Sequence, residues 1–135
     1  MAKKILGVVA GLAVWIAVAT AAGAIMRLSW PAYARVADEM IFTLPMLAAR
    51  LSIGALATLA AGLVTAIIAP RSALARLMPG VLLLIAFIPV HVSLWDKFPV
   101  WYHLTFLLSL VPLTYLGGTI AAAERPIVPR VSISS

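Results

Sequence analysis

The chain has 135 residues, of which 64% are hydrophobic and only 10% charged, with four Asp and Glu against ten Lys and Arg and a net charge of +6. A soluble domain carries about 25% charged residues, so this composition, with a mean hydropathy of +1.14, excludes a soluble fold and points to an integral membrane protein. Cysteine is absent, which excludes disulfides, thiolate metal sites and thiol chemistry. The basic residues sit at the ends of apolar runs rather than in one patch, so no nucleic-acid partner is expected.

A spanning helix needs roughly 20 mainly apolar residues, and four stretches qualify, at about 4–26, 46–69, 77–95 and 99–123. Between and after them lie an amphipathic segment, 27–45, and a tail, 124–135. The expected fold is all-α: one integral membrane four-helix bundle domain with a short interfacial helix after the first span. Lys3, Lys4, Arg71, Arg76, Arg125 and Arg130 fall on one side of this topology, and Arg27, Arg35, Arg50 and Lys97 on the other. Basic residues favour the cytoplasm and the first helix usually dominates. Both termini, and the tail, are therefore expected in the cytoplasm of a cell bounded by a bacterial inner membrane.

The first span opens on Lys3 and Lys4 and ends in the small residues A-T-A-A-G-A at 19–24, the outline of a secretory signal. Its apolar run exceeds the usual core of about 7–15 residues, so a retained helix is expected. Gly7 and Gly11, four apart, lie on one face, the spacing by which membrane helices approach closely.

In the 27–45 segment, Ser29 is placed to cap a helix with Pro31 in its first turn. Trp30, Tyr33, Ala37, Met40, Ile41 and Leu44 recur at three to four residues, with Arg35, Asp38 and Glu39 between them. That spacing predicts a short helix lying in the outer interface, or else an outward extension of the second span kinked at Pro45. The second span then carries Arg50 inside an apolar run. It either snorkels to headgroups or pairs with Asp38, Glu39 or Asp96. Gly54, Thr58 and Gly62 form a small-residue stripe at a spacing of four, which makes this span the expected buried centre.

Residues 70–80 read as a short turn before the third span, with Pro79 and Gly80 at the helix start. Pro89 and Pro112 each lack an N–H, freeing the carbonyls of Ile85 and Leu108 within the third and fourth spans. Between these spans, Pro89 to His103 reads as a tight outer hairpin. It holds both histidines, His91 and His103, with Asp96 and the interface aromatics Trp95, Trp101 and Tyr102; Trp30 marks the same level. Gly80 and Gly117 at the inner helix ends, against bulky residues at the outer ends, predict a wedge with a shallow outward pocket.

No catalytic spacing, phosphate loop or zinc-protease motif occurs, so an enzyme is not expected, nor a cofactor or metal. The candidate polar outer site comprises Arg50, His91, Asp96, His103, Asp38 and Glu39. Helix-packing residues are plentiful where catalytic ones are absent, so the leading expectation is a non-enzymatic accessory subunit. It would associate with a membrane-protein partner, or with itself, through Gly7, Gly11, Gly54, Thr58 and Gly62, and otherwise contact the lipid bilayer. A homo-oligomeric transporter or channel for a small solute is the alternative. A binder of haem, quinone or lipid at the outer pocket is the third.

Overall fold

The computed structural model describes residues 1–125. Its five helices are α1 (Ala2–Ser29), α2 (Pro31–Val36), α3 (Leu44–Ile68), α4 (Ala73–Ser93) and α5 (Val100–Ala123), and no strand occurs among the described residues. All but α2 are long and apolar enough to cross a membrane. The shortest of these four, α4 with 21 residues, reaches about 32 Å at 1.5 Å per residue, against a hydrocarbon core of about 30 Å. The chain is thus an all-α, multi-pass membrane bundle. Leu108, 70% exposed, and Ile16, 60% exposed, lie on its outer faces, surfaces that only lipid or another apolar body satisfies.

The helix α3 is the centre. Of the four long helices it has the largest buried share, 39% of its most apolar window, and Ala57 and Ala61 on it are fully buried. The small residues explain this placement. A Cβ on Gly7 or Gly11 would meet the α3 backbone or Thr65, and one on Gly62 would strike the backbone of Thr114 in α5. Thr65 reinforces the first contact, its hydroxyl lying 3.0 Å from the Gly7 carbonyl and 2.8 Å from that of Ala61. The small-residue stripes expected to meet a partner are therefore used within the chain.

Several local expectations are corrected. Ser29 does not cap α2: its hydroxyl donates to the Ile25 carbonyl at 2.7 Å, so Ser29 ends α1 and Trp30 becomes the N-cap without a side-chain bond. The helix α2 is also shorter than the apolar pattern. A turn follows it, with Met40 at a φ of 57° and the Ile41 N–H bonded to the Val36 carbonyl at 3.4 Å, a left-handed helix ending. Tyr33 and Ala37 consequently face inward, clustered with Met26 and Met46, while Met40, Ile41 and Leu44 stay exposed. Finally, α4 starts at Ala73 because Ser72 accepts from the Ala75 N–H at 3.1 Å. Pro79 is thereby buried inside the helix. The tail expected over 124–135 lies, from residue 126 onward, outside the described residues.

Met1, Lys3, Arg71 and Arg125 border one depression, so the N-terminus and the end of α5 share one end of the bundle. The α4–α5 hairpin and α2 occupy the opposite end, and the polar side chains gather there.

Candidate functional site

At the hairpin end, α1 and α4 flank a partly open cavity of about 200 Å³. Trp15, Ala19, Gly23 and Met26 of α1 form one wall, and Phe87, Val90 and His91 of α4, with Leu94 just past its end, form the other. Between them, α3 contributes Arg50 and Gly54, and α5 contributes Tyr102 and Phe106. Below it the seam is pinned by Trp15 against Phe87, with ring centroids 5.2 Å apart. The Trp15 indole N–H also donates to Thr58 Oγ1 at 3.0 Å. Gly23 meets nothing where its Cβ would stand, so it leaves the cavity wall open.

Arg50 approaches phenols rather than carboxylates. It donates from Nη1 to the Tyr33 hydroxyl at 2.8 Å and from Nε to the Tyr102 hydroxyl at 3.3 Å. Its guanidinium carbon sits 4.7 Å from the centre of the Phe42 ring, within cation–π range. The expected pairing of Arg50 with Asp38, Glu39 or Asp96 is not formed. Asp38 instead accepts from Arg27 at 3.0 Å on the exposed surface, and Glu39 and Asp96 are exposed. The reason is geometric: α2 ends early and turns Tyr33 inward, so the acidic residues following it face out. Among the described residues Arg50 has no anionic partner. Two of the five guanidinium N–H groups are engaged, on a side chain that lines the cavity.

The histidines pair directly. His91 Nδ1 and His103 Nδ1 stand 2.7 Å apart, and both rings are buried, His103 completely. His91 stacks on Phe106, centroids 4.8 Å apart, and His103 stacks on Trp95 at the same separation. One proton fits between the facing nitrogens, donated by one ring to the other. A metal does not fit between them, because imidazole ligands stand about 2.0–2.1 Å from a tetrahedral zinc ion and two such nitrogens are then roughly 3.3 Å apart. Asp96 is not drawn in, and no group of three or more His, Cys, Asp or Glu side chains forms a metal-holding cluster among the described residues. The cavity is also smaller than the range of about 300–1,000 Å³ usual for pockets that enclose a whole ligand.

Of the six polar residues expected at the site, the structure brings together Arg50, His91 and His103, while Asp38, Glu39 and Asp96 remain outside. Trp95 covers His103, and Tyr102 bonds Arg50. Trp101 is 42% exposed on the outer surface, and Trp30 packs beside the Tyr33 cluster. Tyr33, Trp15 and Gly23 are functional neighbours that sequence reasoning missed. Only Tyr33 carried a signal, a polar-tipped aromatic at helical spacing. Pro89 and Pro112, with Ile85 and Leu108 four residues before them, are all exposed, so the freed carbonyls lie on outer flanks and not at this cavity. No known protein family, curated protein or solved structure matches this chain.

Proposed function

We propose that this chain is a non-enzymatic binding protein for a membrane amphiphile, whose head group enters the α1–α4 cavity while its apolar tail remains in the bilayer. One observation carries the reading: a guanidinium borders a half-enclosed, aromatic-lined cavity with phenol hydroxyls and, among the described residues, no carboxylate to neutralise it. A half-buried cation without an anion is costly, and a ligand head that accepts its hydrogen bonds offsets that cost. The seam between α1 and α4 supports lateral entry, since a second groove, lined by apolar side chains and Lys4, lies between the same helices at the terminal end.

The accessory-subunit reading depended on small-residue faces that here pack inside the chain. The transport reading used Arg50, Asp96, His91 and His103 together with the proline-freed carbonyls; Arg50 and the two histidines gather at the cavity end, while Asp96 and both prolines lie on the exposed outside. We place the terminal end, which holds Lys3, Lys4 and Arg71, in the cytoplasm by the positive-inside bias, in a bacterial inner membrane. The cavity then faces the outer leaflet.

The test is quenching of tryptophan fluorescence by single-chain amphiphiles brominated in mid-chain, titrated into nanodiscs holding the full chain. Trp15 lines the cavity, so saturable quenching is expected in the wild type and is expected to be lost in Trp15→Phe. In Gly23→Leu, where a side chain grows into open space, binding is expected to weaken. Quenching that stays linear, as for simple partitioning, would overturn the proposal.

A further inference from the structure

The donors and acceptors around the cavity are unequally distributed. Arg50 has no acceptor function. Tyr33 and Tyr102 each accept from Arg50, which directs their own hydroxyl hydrogens elsewhere. His91 lines the cavity while its Nδ1 is turned to His103, so Nε2 is its ring nitrogen left for a ligand. What Nε2 presents depends on the histidine pair.

His103 decides that question through an atom with no partner. Its Nε2 is buried and has no hydrogen bond among the described residues. Were His91 to donate from Nδ1, neutral His103 would carry its proton on that Nε2, an orphaned buried N–H. A buried donor without a partner is rarer in native proteins than an under-used acceptor. The less costly arrangement has His103 donating from Nδ1 to His91 Nδ1, with a bare lone pair at His103 Nε2. His91 then carries its proton on Nε2, so Arg50 and His91 both face the cavity as donors, beside two phenol hydroxyls that each still have a hydrogen to give.

We infer that the cavity selects an amphiphile with an acceptor-only anionic head, a carboxylate, and that His103 acts as the positioning residue that holds His91 as an Nε2–H donor toward it. This rests on the cavity being a binding site. A carboxylate accepts at both oxygens and has no hydrogen to set against the donors, whereas an alcohol or amide head brings at least one. The volume of about 200 Å³ suits this small planar head better than a phosphodiester with its substituent.

The experiment compares mid-chain dibrominated stearic acid with its methyl ester and with an alkyl phosphate of the same chain, on wild-type protein in nanodiscs at matched bilayer concentrations. The acid is expected to bind roughly ten-fold or more tightly than the ester, the order set by a charge-assisted hydrogen bond. That preference is expected to shrink in Arg50→Gln. Equal binding of acid and ester overturns the inference while leaving the binding site in place, and tighter binding of the phosphate overturns the choice of carboxylate. Saturable binding of none of the three removes the site itself. Histidine ¹⁵N NMR of the wild-type chain reads the tautomers without any variant: His103 as Nδ1–H and His91 as Nε2–H are expected, and His103 as Nε2–H would contradict its role. In His103→Phe the acid–ester ratio is expected to fall; an unchanged ratio would also contradict it.

Discussion

Replacing Gly62 by alanine adds one methyl group at the point where α3 and α5 touch. The new Cβ would fall inside contact distance of the Thr114 carbonyl group and Cα, all backbone atoms, so no side-chain rotation relieves it and α5 has to move. Overpacking a fitted interior costs about 1–3 kcal/mol, and a backbone obstacle belongs at about 3. Removing a helical glycine returns about 0.5–1 kcal/mol, which leaves a net loss of roughly 2 kcal/mol. Gly23→Ala is the internal control: the same chemical change, in a position with nothing within 4 Å, is expected to be neutral or to stabilise by up to about 1 kcal/mol. Reversible unfolding in mixed micelles titrated with dodecyl sulfate, followed by circular dichroism, should separate the pair by about 3 kcal/mol. Two variants of equal stability would refute the α3–α5 contact, and with it the conclusion that the small-residue stripes are spent inside the bundle.

Thr58→Val leaves the Trp15 indole N–H without its acceptor and is expected to destabilise by about 1–2 kcal/mol, whereas Thr58→Ser, which keeps the hydroxyl, should recover most of it in the same unfolding assay. Met40→Gly removes a side chain from a left-handed position, φ 57°, and is expected to stabilise the turn after α2 by about 1 kcal/mol, read as slower amide exchange at Ile41. Asp38→Asn breaks the Arg27 pair on a surface where Asp38 is 84% exposed; its effect should stay within about 0.5 kcal/mol, and the binding assay should not register it.

The four-helix architecture was legible because apolar runs of spanning length depend on composition alone, and the centrality of α3 followed from Gly54, Thr58 and Gly62. What could not be read was which neighbour each small residue meets. Gly7, Gly62 and Gly23 look alike in sequence, yet the first two meet backbone or Cβ atoms of neighbouring helices and the third faces a void. Ser29 and Ser72 likewise both precede a helix, and only Ser72 caps one. At the site, the two histidines announced themselves by lying on either side of one hairpin. Arg50 did not announce its partners, because sequence reasoning matches opposite charges, and its neighbours Tyr33 and Tyr102 lie 17 and 52 positions away. Their phenol groups became visible only once the short α2 had turned Tyr33 inward.

Native mass spectrometry of the chain, extracted from its source membrane in mild detergent, tests the central claim most directly. The wild-type chain is expected to carry a single small amphiphile with a carboxylate head, and the Gly23→Leu chain to have lost it. A chain that carries no small molecule and is held instead in a heteromeric assembly would contradict the account and restore the accessory-subunit reading.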